Sequence, residues 1–165
     1  EMATHDGLTG LYLSRYFLAR LSEERRRADY PRKPFALIMA DIDHFKRTND
    51  QFGHSAGDLV LKNIAAILMR CLEPAELAAR YGGEEFVLIL PNKGKREAMA
   101  AAEKIRAEIQ THKFVLRRTQ ATVTASFGVA SFPQDGAAAD TLLTAADERL
   151  YEAKKKGRNR VCGNT

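Results

Sequence analysis

The chain has only two cysteines in 165 residues, Cys71 and Cys162. They are too few for a disulfide framework, and neither has the partner spacing of a zinc site. That scarcity implies a reducing compartment, the cytoplasm. Long apolar runs are missing too. The longest, Phe35 to Ala40, is a strand-length stretch, far short of the ~20 residues that cross a bilayer, so no membrane contact is expected of this domain. There is no signal peptide, internal repeat, low-complexity tract or interdomain linker. Glu1 stands where a start methionine would, so residues 1–165 read as a single domain excerpted from a longer protein. Aromatics are few among the basic runs, which argues against nucleic acid despite a formal net charge of +5.

What is present suits one compact globular core: 45% hydrophobic and 28% charged residues. A basic balance favours polyanionic partners, among them phosphorylated small molecules. Arg25, Arg26 and Arg27 read simply as a solvated helix face. Cys71 lies on an apolar helical stripe and reads as a small core residue.

Leu13, Phe17 and Leu21 recur at helical spacing, and Pro31 and Pro34 end that helix. Phe35 to Ala40 predicts a strand buried on both faces and ending at Asp41. A polar segment through Gly53 and Gly57 leads to a helix burying Val60, Ile64, Ile67, Leu68 and Cys71. Leu77–Tyr81 and Phe86–Leu90 flank Gly82-Gly83 as a hairpin. Ala98, Ala102, Ile105 and Ile109 define another helix, and Gln120 to Phe132 reads as strand. The last helix carries Leu142, Ala146, Leu150 and Ala153, capped by Asp140 and closed by Gly157, before a short strand at Val161. The order α-β-α-β-β-α-β-α-β predicts an α/β sandwich of ferredoxin-like type, with a mixed sheet of about five strands flanked by helices.

Four groups of residues can carry chemistry. Asp41 follows the buried strand, where clefts form at sheet edges; Asp43 shares its side if the strand continues. Either could instead cap a turn. Glu84 and Glu85 emerge from the hairpin and could meet Asp41 across an adjacent strand. Carboxylates so placed suit Mg²⁺ or Mn²⁺, with phosphate oxygens completing the shell. Lys154, Lys155, Lys156, Arg158 and Arg160 cluster at the end of the last helix; the lysines complement its negative terminus, while the arginines beyond Gly157 suit phosphate. Lys46, Asn49, His54 and Asp58 occupy the polar stretch. Asn49 and Asp58 can read a base edge, although Asp58 also suits a capping box with Ser55.

Together these residues resemble the GGDEF-domain family. The signature hairpin is Arg80-Tyr81-Gly82-Gly83-Glu84-Glu85-Phe86, with Glu in the third signature place. The likeness runs from Asp6-Gly7-Leu8-Thr9-Gly10-Leu11 through Asp41-Ile42-Asp43-His44-Phe45-Lys46, Asn49-Asp50, Phe52-Gly53-His54 and Gly57-Asp58. It resumes at Ser126-Phe127-Gly128-Val129-Ala130 and continues to Ala146-Asp147, Leu150-Tyr151, Ala153-Lys154 and Gly157-Arg158-Asn159-Arg160. The resemblance implies a polymerase-palm-type fold and a diguanylate cyclase that joins two GTP into cyclic di-GMP across a homodimer. It implies two Mg²⁺ or Mn²⁺ ions per GTP, held by Asp41, Glu84 and the Ile42 carbonyl, with Glu85 assisting. Lys46, Lys154 and Arg158 would hold the triphosphate, Asn49 and Asp58 would recognise guanine with His54 nearby, and Glu84 would assist deprotonation of the attacking hydroxyl. A sensor or receiver domain is expected outside this chain. Glu73 and Glu76 replace the family's inhibitory Arg-x-x-Asp, so no product-binding site is expected there. The alternative is a silent GTP-binding regulatory module of the same family.

Overall fold

A computed structural model describes residues 3–29 and 32–164. In chain order the elements are β1 (Tyr12–Leu13), α1 (Ser14–Arg27), β2 (Phe35–Ile42), α2 (Phe45–Phe52), α3 (His54–Cys71), β3 (Leu77–Arg80), β4 (Glu85–Pro91), α4 (Lys95–Thr111), β5 (Phe114–Leu116), β6 (Thr119–Ala121), β7 (Ala125–Phe132), α5 (Ala139–Lys155) and β8 (Val161–Cys162). Six strands form one sheet in the order β1-β3-β4-β2-β7-β8, while β5 and β6 make a separate hairpin. The four inner strands are antiparallel neighbours, and the parallel pairs are the short edge strands β1 with β3 and β7 with β8. The sheet is therefore mixed, in a ferredoxin-like arrangement extended at both edges.

Strand β2 is buried along its whole length because both of its faces are covered. Ala36, Ile38, Ala40 and Ile42 pack with Phe86, Leu88 and Phe127 against α3 and α4. The alternate residues Phe35, Leu37 and Met39 pack with Val87, Ile89 and Ala130 against α1 and α5. This is the pattern a continuous apolar run predicts. Helix α5 settles on β7 through Gly128, where a Cβ would stand 2.0 Å from the Ala146 carbonyl oxygen and 2.3 Å from the Leu150 nitrogen. Any larger residue there would lift α5 and the basic residues at its end.

Several boundaries differ from the sequence reading. The polar segment before Gly53 is a helix, α2, whose core-facing side is only Phe45 and Phe52, both partly buried, too sparse a stripe to betray it. Gly53, at φ +91°, separates α2 from α3, and no side chain caps α3, so Ser55 and Asp58 form no capping box. Asp140 lies in the first turn of α5, whose cap is Ala138; its charge meets the positive helix end instead. The expected strand from Gln120 breaks at 122–124 because its two halves pair with different partners. Helix α1 ends at Arg27, so it stops before the prolines; Pro31 lies outside the described residues. Cys71 is only half-buried and stands 3.2 Å from Glu108 Oε2; burial first, then that carboxylate, pushes its thiol up to about 11. Among the described residues no helix is long and apolar enough to cross a membrane.

The start of α4 is tied to the middle of α5 by one buried ion cluster. Asp135 accepts from Arg149 Nη2 at 2.9 Å and from the Ser131 amide at 2.8 Å, and its second oxygen lies 2.8 Å from Lys95 Nζ. Burial opposes ionisation of Asp135, but Arg149, Lys95 and the Ser131 amide outweigh it and hold the carboxyl at about 2. A depressed folded-state value means the stabilisation is complete above the unfolded value near 4 and fades as pH falls toward 2. Asp135→Asn should thus be less stable than wild type at neutral pH, with the difference shrinking between pH 4 and 2 in thermal melts. Parallel melting curves across that window would rule this linkage out.

Candidate active site

The antiparallel register of β2 and β4 places Asp41 directly opposite Glu85, with Ser126 of β7 on its other side. One residue on, the Ile42 amide donates to the Glu84 carbonyl at 3.2 Å. The hairpin is thereby stitched to the end of β2. Its own turn is closed by the Tyr81 amide, which donates to the Glu85 carbonyl at 2.8 Å, and by Arg80 Nη2, which donates to Gly83 O at 2.8 Å. Arg80 in turn lies 3.2 Å from Asp6, whose carboxylate also accepts from the amide and hydroxyl of Thr9. Asp6 and Arg80 were not legible as site-supporting residues, though the Asp6-to-Thr9 turn spacing is the signal that could have shown them.

Asp41 is 7% exposed and shares the sheet face of α5, from which Lys154 reaches to 2.9 Å of Oδ2. Burial raises the Asp41 carboxyl above its ordinary range; Lys154 pulls it down, Asp43 pushes it up and Arg158 pulls it down again. Burial also raises Glu84, which is pushed further by Asp41 and Glu85 and eased by Lys154. Glu85 is raised by burial and by Asp41 in the same way. Glu84 and Glu85 thus both feel the Asp41 charge, and the Lys154 ammonium paired with Asp41 opposes all three.

That repulsion is what a divalent cation relieves. Among the described residues no three His, Cys, Asp or Glu side chains converge as a closed metal site would require. Two carboxylates supplemented by a carbonyl and phosphate oxygens fit Mg²⁺, which keeps part of its shell for water and substrate. The donor set of Asp41, Glu84 and the Ile42 carbonyl therefore suits the ion by chemistry and by charge.

Asp43 shares the side of Asp41, whose carboxyl its charge raises, but its own oxygens are already taken. It is 5% exposed and fully engaged: Thr124 and Ser126 hydroxyls donate to it at 2.7 and 2.6 Å, and the Asn159 amide at 3.0 Å. It anchors the loop after α5, where Gly157, Arg158 and Asn159 all take positive φ and Arg158 is left exposed. Lys155 and Lys156 are exposed beyond Lys154.

A second cluster forms where α2 meets α3. Asn49 is half-buried, with its Oδ1 buried and without a hydrogen-bond partner. That oxygen lies against Gly57, where a Cβ would come within 1.8 Å of it, so only glycine admits the contact. Asp58 follows Gly57 and is exposed, as are His54 and Lys46. An orphaned buried acceptor beside a free carboxylate is a donor-seeking site. The structure thus gathers Asp41, Glu84, Glu85, Lys154 and Arg158 into one group and Asn49, His54 and Asp58 into another. Lys46 stands on α2 one turn before Asn49, without an ion pair among the described residues.

The fold and these groups define a ferredoxin-like α/β domain with an acidic hairpin set against a basic helix terminus. The chain belongs to the family described as "Diguanylate cyclase, GGDEF domain", whose model matches residues 3–160. It is 41% identical to Diguanylate cyclase A of Treponema denticola, over 98% of this chain and 44% of that protein. It is 40% identical to the response regulator PleD of Caulobacter vibrioides, over 99% of this chain and 36% of that one. The chain therefore spans less than half the length of these relatives. Among solved structures, the GGDEF domain of DgcB from Caulobacter crescentus, in complex with c-di-GMP, matches with a TM-score of 0.92 and 35% identity, covering 99% of this chain and 96% of that one.

Asp43→Ala would leave the Ser126 hydroxyl and the Asn159 amide without their acceptor. The expected cost is about 1–3 kcal/mol of stability, with faster amide hydrogen exchange concentrated at Asn159 and its neighbours. Unchanged exchange in that loop would show that Asp43 does not anchor it.

Proposed function

We propose that this domain is the catalytic unit of a diguanylate cyclase that condenses two GTP molecules into cyclic di-GMP, releasing two pyrophosphates. The observation that carries the reading is the convergence of Asp41 with the acidic hairpin beneath Lys154. Family membership and the cyclic di-GMP in the related DgcB domain support it.

Asp41, Glu84 and the Ile42 carbonyl would hold Mg²⁺, with Glu85 beside a second ion. Bound there, the ions would supply positive charge to the triphosphate and would lower the pKa of the attacking 3′-hydroxyl. Lys154 now neutralises Asp41; with that carboxylate otherwise compensated, its ammonium is released toward the phosphates together with Arg158 and Lys46. Asn49 and Asp58 accept hydrogen bonds from the guanine N1–H and exocyclic amine, satisfying the orphaned Asn49 oxygen, with His54 at the rim. Glu84 assists removal of the proton from the 3′-hydroxyl, which attacks the α-phosphorus as the bond to pyrophosphate breaks. The same step in the opposite sense closes the ring.

Each domain presents one set of these groups, so two copies must face each other, and a regulatory domain elsewhere in the full-length protein would control that encounter. The domain would work in the cytoplasm, where GTP is available. Product inhibition through the corner before β3 is not expected. There Lys93 Nζ lies 2.8 Å from Glu73 and 2.6 Å from Glu76, so that cation is already bound by two carboxylates.

Incubation with GTP and Mg²⁺ under enforced dimerisation, followed by mass spectrometry, should show cyclic di-GMP. Glu84→Gln should lower turnover by at least about 100-fold, the scale of losing one transition-state contact, while keeping wild-type circular dichroism. GTP binding without product under every dimeric condition would instead establish the silent regulatory module.

A further inference from the structure

The hairpin joining β5 to β6 contains a conformational oddity. Leu116 pairs with Thr119, leaving Arg117 and Arg118 as its two turn residues, at φ +49° and +68°. A two-residue turn with both φ values positive favours Asn-Gly, because a Cβ there crowds the following carbonyl oxygen. Two arginines in such a turn hold their guanidinium groups in a costly place. Backbone strain of this kind points to use.

The Arg117 side chain has a definite destination. It lies across Gly53, the residue joining α2 to α3: a Cβ there would stand 2.9 Å from Arg117 Nη2 and 3.6 Å from its Cζ. The amide of Gly53 donates to the Asn49 carbonyl at 2.7 Å, so the guanidinium rests on the same corner that carries Asn49, His54 and Asp58. Arg117 has neither an ion pair nor a hydrogen bond among the described residues. A donor fork without a partner among the described residues thus rests on Gly53, the joint between the helix that carries Asn49 and the helix that carries Asp58.

We infer that Arg117 is a specificity-determining residue for the purine base, donating its paired N–H groups to guanine O6 and N7. This rests on the GTP reading above and completes it. Asn49 and Asp58 take the donors of guanine, and Arg117 takes the acceptors on the neighbouring edge, the commonest bidentate match between arginine and guanine. Adenine presents an amino donor in place of O6 and would face the guanidinium unfavourably. Neither the hairpin position nor its basic turn was singled out by the sequence.

The test is calorimetric binding of the α,β-methylene analogue of GTP, which cannot lose pyrophosphate, to the full chain with Mg²⁺. Arg117→Ala should weaken binding about tenfold and Arg117→Lys by an intermediate amount, on the scale of one bidentate base contact. Arg118→Ala removes the neighbouring turn arginine and should bind within about twofold of wild type, which controls for damage to the hairpin. In turnover assays Arg117→Ala should raise KM for GTP while leaving kcat near wild type. Replacing GTP by 7-deaza-GTP should weaken wild type and leave Arg117→Ala nearly indifferent. Wild-type binding matched by Arg117→Ala, or equal losses from Arg117→Ala and Arg118→Ala, overturns the inference and leaves the GTP reading standing. No binding by wild type overturns both.

Discussion

The antiparallel pairing of β2 with β4 is the constraint on which the site depends. Seven residue pairs, from Phe35 opposite Pro91 to Asp41 opposite Glu85, fix where the hairpin turn falls relative to the end of β2. A slip of one residue would send Asp41 to the α3 and α4 face and remove it from Lys154, because side chains alternate across a strand. Burial of β2 on both faces makes that slip expensive. The acidic convergence is thus a consequence of core packing, enforced some distance from the carboxylates themselves.

The second element of the design is how the crowded charge is tolerated without an ion. Asp41, Glu84 and Glu85 each resist ionisation through burial and the repulsion of neighbouring carboxylates. Helix α5 brings Lys154 to them, and α5 can lie that close to β7 only because Gly128 has no side chain. Asp43 then fixes the turn beyond α5 by holding the Asn159 amide. Three features separated in the chain therefore serve one electrostatic end: a bare glycine, a buried aspartate and a lysine.

Much of this was legible in the sequence. The apolar run ending at Asp41, the glycine hairpin and the helical stripes gave the sheet and its coverage, because burial leaves a periodic trace. The resemblance to the family gave the candidate roles. Helix α2 was missed because only Phe45 and Phe52 in it meet the core, and only in part; β6 was merged with β7, and β5 passed over, because β-propensity does not name a strand's partner. The anchoring role of Asp43 was missed because it lies in three hydrogen bonds to residues more than eighty positions away. Sheet-edge reasoning from parallel folds also found Asp41 for an incomplete reason: its neighbours here run antiparallel, and the site comes from the hairpin opposite it.

The central claim is that Asp41 and Glu84 share one cation beside a bound triphosphate. Electron paramagnetic resonance of Mn²⁺ with the α,β-methylene analogue of GTP measures this directly. The account predicts a protein-bound Mn²⁺ signal in wild type that is lost or greatly weakened in both Asp41→Asn and Glu84→Gln. A bound-ion signal that survives unchanged in both variants would contradict it.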